Sequence, residues 1–248
     1  MSRICRRAEF ACGYVLHQHP YRDTSLIVEL YTRDYGRMSA FARAARGPHS
    51  RFSGLQPFRP LLLSWSGRGE APSLTAAEAD GPPATPLAPD CLLSGFYLNE
   101  LLLKLTVAHD PQPELYAHYA ATLGRLRAGE PLELVLRRFE KRLLELLGYG
   151  NELTHEASGR PVVPDGYYHF RPGAGVWPVG AAQSAGAAIA GAVQGRVLLA
   201  LAADEPLHDP ADQKQTRAVL RAALDHCLDG RELHTRTVAR AVARMERA

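Results

Sequence analysis

The sequence predicts an α+β multidomain chain: an N-terminal all-β barrel domain followed by an all-α helical domain with an irregular insert. Two patterns carry this reading. Up to residue 80, short runs rich in β-branched and aromatic residues alternate with turn-forming clusters. Beyond residue 90, apolar residues recur at helical spacing. Between them, "DGPPATPLAPD" (80–90) is dense in breakers. The expected division is a barrel domain over 1–80, a linker over 81–90 and a helical domain over 91–248.

Five strands fit the first part. "EFACGYVLHQ" (9–18) and "TSLIVELYT" (24–32) are joined by the turn-like "HPYRD". "GRMSAFARA" (36–44) follows a second turn, "RDYG". It places Met38, Ala40 and Ala42 on one face and Arg37, Phe41 and Arg43 on the other. "FRPLLLSWS" (58–66) and "PSLTAAEAD" (72–80) complete a set with the spacing of a small barrel. Residues 91–106 carry leucines around nearly the whole circumference, which predicts a buried central helix. Helices over 113–129 and 131–150 each open on a proline, a favoured first-turn residue. An irregular insert over about 151–182 contains a possible hairpin around "GYYHFRPGAGVWPVG". Further helices are expected over 184–203, 210–228 and 231–247.

Composition fits a soluble globular chain, with 46% hydrophobic and 22% charged residues. The longest apolar run, 91–105, is interrupted by Asn99, Glu100 and Lys104 and is too short for a bilayer, so no membrane association is expected. The N-terminus lacks an apolar signal core, and a cytoplasmic address is expected. Cys5, Cys12, Cys91 and Cys227 are scattered, in neither a disulfide framework nor a zinc signature. Of 29 basic residues only Lys104, Lys141 and Lys214 are lysines, leaving 26 arginines. Alongside many alanines, glycines and prolines, that abundance reflects residue bias as readily as phosphate binding. Its distribution is more informative. Residues 1–68 hold eleven arginines against Glu9, Asp23, Glu29 and Asp34, a balance of +7, whereas the whole chain is +3. The N-terminal end is the basic one.

The densest basic stretch is "TRDYGRMSAFARAARGPHSR" (32–51), where Arg33, Arg37, Arg43, Arg46 and Arg51 face one acid, Asp34. By composition alone it serves equally as a solvated loop or as a grip for an anion. Enzymatic motifs are absent: "GAGVWPVG" and "GAAIAGAVQG" are not phosphate loops, "HEASG" lacks the second histidine of a zinc protease, and no carboxylate cluster implies two-metal chemistry. No catalytic residue, cofactor or small-molecule substrate is expected. His155, Glu156 and His169 are of mixed type without regular spacing, so no metal site is expected either.

Several segments in conserved order, 13–51, "FYLNELLLKLTVAHDPQPELYAHY" (96–119) and "FEKRLLELLGYG" (139–150), resemble the RecO family of recombination mediators. The resemblance implies an OB-fold barrel behind which the helical domain follows. It also implies binding of single- and double-stranded DNA, annealing of complementary strands, and action with RecR to load RecA onto DNA coated by single-strand binding protein. A cytoplasmic, nucleoid-associated protein of DNA repair follows. Some relatives carry four zinc-binding cysteines in the insert; this chain has none there.

With that resemblance, Arg33, Arg37, Arg43, Arg46 and Arg51 become candidate phosphate contacts, since a guanidinium forks onto phosphate oxygens. Five such contacts would give a salt slope of about −3.5. Phe41 and Phe52 become candidate stacking platforms beside them. Arg236, Arg240, Arg244 and Arg247 recur along one face of the last helix, an auxiliary DNA surface or a solvated rim. Arg138 and Arg142 share a face with Glu145. They could receive the acidic tail of single-strand binding protein, or simply pair within the helix. A protein-docking scaffold whose barrel binds a partner other than DNA is the alternative, and a metal-dependent hydrolase a third reading.

Overall fold

The computed structural model describes residues 7–47, 50–52, 54–67, 71–82, 84–180 and 191–245. The chain forms two compact units, one of Met1–Glu130 with Leu233–Ala248 and one of Pro131–Glu232.

In the first unit, β1 (Arg7–Tyr21), β2 (Ser25–Thr32), β3 (Gly36–Ala42), β4 (Leu61–Ser66) and β5 (Ser73–Ala79) close a barrel in the order β1-β2-β3-β5-β4. The five expected strands are present. Closure runs through a parallel pairing of Phe41 with Ser73, where the Phe41 N–H donates to the Pro72 carbonyl at 2.9 Å. Alternation places Met38, Ala40 and Ala42 inward with Val15, Val28, Leu30, Leu63 and Trp65. Small residues on β3 leave room for the large ones opposite.

The β2–β3 turn explains its own sequence. Gly36 sits at φ 68°, and a Cβ there would collide with the Asp110 backbone. Beside it, the His109 N–H donates to the Arg37 carbonyl at 2.8 Å. The "RDYG" turn and the "HDP" segment are thus packed backbone against backbone.

Two helices, α1 (Pro89–Leu105) and α2 (Pro113–Arg127), cover part of the barrel's outer face. Their anchor is a β-bulge. β1 pairs with β2 through Val15↔Leu30 and then His17↔Glu29, so Leu16 has no partner across the ladder. Its carbonyl accepts from Asn99 Nδ2 at 2.9 Å, and Asn99 Oδ1 accepts from the Tyr119 hydroxyl at 2.6 Å. Tyr14 and Tyr31 pack against Tyr116 and Tyr119 with ring centroids 5.1–6.1 Å apart. The breaker segment ends the strand pattern as expected, but the compact unit runs on through both helices. The expected all-round burial of α1 is corrected: Leu98, Leu101 and Leu102 are buried, while Leu92 and Phe96 near its start are exposed.

The last helix, α6 (His234–Met245), buries no residue of its own. Leu233, just before it, is buried. The Glu100 carboxylate accepts from the N–H groups of His234 (2.8 Å) and Thr235 (2.9 Å) and from the Thr235 hydroxyl (2.7 Å). A carboxylate at a helix N-terminus satisfies orphan donors and complements the helix dipole.

The second unit contains α3 (Leu132–Leu146), α4 (Gly195–Ala202) and α5 (Pro210–Leu228), with a sheet of β6 (Tyr167–Arg171), β7 (Gly175–Pro178) and β8 (Val193–Gln194) in the order β7-β6-β8. Asp209 caps α5 by accepting from the Ala211 N–H at 2.7 Å. The expected hairpin in the insert is β6–β7. The expected helix over 184–203 is corrected. Residues 184–190 lie outside the described residues, Val193 and Gln194 pair with β6, and the helix begins only at Gly195. Gly195 N–H donates to the Gly166 carbonyl at 2.8 Å and a Cβ there would overlap the Val163 carbonyl, which keeps the preceding residues extended.

The insert holds together without cysteine. Leu153, Val162, Tyr168 and Val176 are buried, and the Tyr168 hydroxyl accepts from the Val163 N–H at 2.9 Å. No group of three His, Cys, Asp or Glu side chains able to hold a metal occurs among the described residues, and His155 instead contacts Thr154 and Glu152. The residues present do not fit a zinc ion.

Two outcomes follow from this packing. Gly36→Ala should lower unfolding stability by about 2–4 kcal/mol in denaturant titration, because positive φ and a backbone collision act together. Burial alone would raise the Glu100 carboxyl, but the hydrogen bonds from Thr235 and His234 and the Lys104 charge outweigh it and hold the group below its usual value. A depressed carboxylate stabilises the fold above its unfolded value and loses that contribution as pH falls through the folded value. Hydrogen exchange should therefore show α6 amides losing protection as pH falls below the ordinary glutamate value of about 4.3. Glu100→Gln should release the helix at neutral pH, at a cost of about 2–3 kcal/mol.

Candidate nucleic-acid interface

Strand register divides the outer face of β1, β2 and β3 into two halves. In one half, Tyr14, Tyr31 and Arg37 form a row across the three strands, and both tyrosines are buried under α2. In the other half the rows are His17–Glu29–Ser39 and His19–Ile27–Phe41, ending at Tyr21 and Ser25. His17 and His19 are exposed, whereas Ile27, Phe41 and Tyr21 are half-buried. This open half spans about 10 Å across the strands and about 14 Å along them. It has the width of a single polynucleotide strand.

Arginines gather at its far end. The Arg46 N–H donates to the Thr24 carbonyl at 2.8 Å, and the Ala44 N–H donates to Ser25 Oγ at 3.4 Å. These bonds lay the turn after β3 alongside the β1–β2 turn, so Arg22, Arg43 and Arg46 share one end of the barrel. All three are exposed, and none has a carboxylate partner among the described residues. Arg22 lies over the Tyr21 ring with Cζ 5.2 Å from its centroid, and Tyr21 packs against Phe41 at 5.3 Å. Cations and aromatic faces thus adjoin without internal neutralisation. In OB folds the strand 2–3 face and the loop between strands 1 and 2 are the usual polynucleotide surface.

The five arginines singled out in the sequence do not converge. Arg33 and Arg37 lie at the opposite end of β3 from Arg43, about 20 Å away along extended chain. Arg33 is held by Asp34 through two contacts of 3.1 and 3.2 Å. Arg37 is half-buried, donates to the Thr106 carbonyl at 3.2 Å and lies 3.8 Å from Glu29. These two therefore serve the turn and the α1 junction. Arg51 is exposed, over the Phe52 ring at 5.1 Å. Phe52 itself is 3% exposed and belongs to the barrel core, so the expectation of a stacking ring there is corrected. Phe41 keeps its outward position. Tyr21 and Arg22 escaped the sequence reading because "HPYRD" reads first as a turn; the signal available was Tyr21 in phase with His17 and His19.

Among the other basic candidates, Arg236 stacks over Tyr97 at 5.9 Å, while Arg240 and Arg244 project from α6 into solvent. Arg247 lies outside the described residues. In the second unit, Arg142 pairs with Glu145 at 3.2 Å and Arg137 with Glu140 at 2.6 Å, the intrahelical pairings weighed against a docking role. Arg138 lines a cleft between α3 and α4–α5, together with Leu134, Leu201 and Leu207 and with the charged Glu133, Lys141, Asp204 and Glu205.

Comparison with known proteins agrees with this architecture. The family model described as Recombination protein O N terminal matches residues 11–82, and that described as Recombination protein O C terminal matches residues 88–237. A protein of Alkalilimnicola ehrlichii is 47% identical over 95% of this chain and 92% of its own length. One of Ralstonia nicotianae is 42% identical over 96% and 86%. One of Pseudomonas paraeruginosa is 44% identical over 90% and 91%. All three carry the description "DNA repair protein RecO". With both halves matched in order, the chain belongs to the RecO family.

Proposed function

We propose that this chain is a non-enzymatic DNA-binding protein of repair and recombination, acting on the cytoplasmic nucleoid. It binds single- and double-stranded DNA, anneals complementary strands and, with RecR, helps load RecA onto DNA coated by single-strand binding protein. The observation that carries the reading is the set of unneutralised arginines Arg22, Arg43 and Arg46 beside the Tyr21–Phe41 pair. Phosphates are captured there by charge, and bases lie against the open half of the β1–β3 face without sequence readout. Once the backbone charge is neutralised, two complementary strands approach each other with less repulsion. The family relationship and the relatives' printed description support the repair assignment.

Partner docking on the second unit is part of the same reading. The Arg138 cleft holds Arg137, Arg138 and Lys141 with leucines and with Glu133, Asp204 and Glu205, and it is the candidate seat for the acidic tail of single-strand binding protein. The exposed stripe of Val238, Val242 and Met245 on α6 favours the second reading, a scaffold whose main ligands are proteins. Filter binding with single-stranded DNA separates the two.

Four contacts, from Arg22, Arg43, Arg46 and Arg51, give a salt slope of about −2.8 for a single strand. Arg43→Glu with Arg46→Glu should weaken binding more than tenfold and flatten the slope to about −1.4. Arg33→Glu, already neutralised by Asp34, should change little. An unchanged titration for the double variant would remove this end of the barrel from the site.

A further inference from the structure

We propose that the β6–β7 hairpin of the second unit is a separate stacking platform for single-stranded nucleic acid. The inference extends the DNA-binding reading to a surface that reading does not use.

Alternation along the hairpin separates two faces. Tyr168 and Val176 point inward and are buried, whereas Tyr167, His169, Arg171 and Trp177 share the outer face. His169 pairs directly with Trp177, and Tyr167 lies diagonal to it, within reach of one nucleotide step. Tyr167 is 40% and Trp177 44% exposed. Exposed rings gathered on one face mark a candidate contact surface.

Both rings are fixed in place. The Trp177 indole N–H donates to the Ala174 carbonyl at 3.0 Å, inside the hairpin turn, which orients the ring plane. Arg171 lies over the indole with Cζ 5.8 Å from the ring centroid. Gln194 Nε2 on β8 donates to the Tyr167 hydroxyl at 3.0 Å. Ordering entropy of these rings is therefore largely spent before any ligand arrives.

The hairpin itself carries Arg171 and no carboxylate, while Glu156 flanks β7 through its bridge to Val176. A cation laid against an indole, with a second ring one step away, matches a phosphate followed by stacked bases. A second single-strand surface on one molecule would also let a chain hold both partners of an annealing pair.

Trp177 supplies its own readout, because the chain has two tryptophans and the other, Trp65, is 1% exposed in the barrel core. Acrylamide quenching of the full chain reports Trp177 alone. Oligo(dT) bound to saturation, as followed by filter binding, should cut the acrylamide-accessible emission at least twofold. An abasic oligomer of equal length, with phosphates but no bases, should protect far less. Trp177→Ala should weaken single-strand binding about tenfold, with partial recovery in Trp177→Phe. In the Arg43→Glu/Arg46→Glu background, protection of Trp177 should persist while bulk affinity falls. Unchanged quenching with DNA demonstrably bound overturns the platform and leaves the barrel reading intact. Equal protection by the abasic oligomer overturns stacking. Absence of any bound DNA overturns the barrel reading together with this one.

Discussion

One unpaired carbonyl organises the N-terminal unit. The bulge at Leu16 leaves a buried acceptor without a ladder partner, and such a group costs about 1–3 kcal/mol unless it is satisfied. Asn99 satisfies it and is itself held by Tyr119, so α1 and α2 are fixed against one half of the β1–β2–β3 face. The adjacent residue, Glu100, holds the start of α6. Two consecutive polar residues in a leucine-rich helix thus tie the barrel, the helical pair and the terminal helix to one another. Which half of the outer face stays open is settled by where that clasp falls.

Electrostatics then divides the open and covered halves further. At the covered end, Arg33 and Arg37 meet Asp34, Glu29 and the Thr106 carbonyl, and their charge supports the fold. At the open end, Arg22 lies over the Tyr21 ring, and Arg43 and Arg46 are exposed. The same residue type therefore does two kinds of work between Arg22 and Arg46. Only uncompensated charge beside exposed π-faces is available to a polyanion.

The five strands were legible in the sequence because side-chain period and turn residues agree, and the inward set Met38, Ala40 and Ala42 appears as alternation predicts. The helices α2 and α3 were legible from Pro113 and Pro131 at their starts. Less legible were features that depend on distant partners. Phe52 reads as an aromatic beside an arginine loop, yet it plugs the barrel core. The arginines of 32–51 are close along the chain but are separated by the length of β3. Tyr21 and Arg22 stand in an ordinary turn motif, and nothing local says that the chain after Ala42 returns to lie beside them. The role of Asn99 could not be read from a leucine-rich helix, because its partner is a bulge 83 residues earlier.

The central claim is that polynucleotide binds the arginine end of the open barrel face, not the paired Arg33 end. Hydrogen exchange of the full chain with and without oligo(dT) tests it most directly. The account predicts new protection over Tyr21–Ser25 and Arg43–Gly47, with exchange of the Arg33–Gly36 turn unchanged. Protection confined to Arg33–Gly36, with the Arg43 turn unaffected, would contradict it.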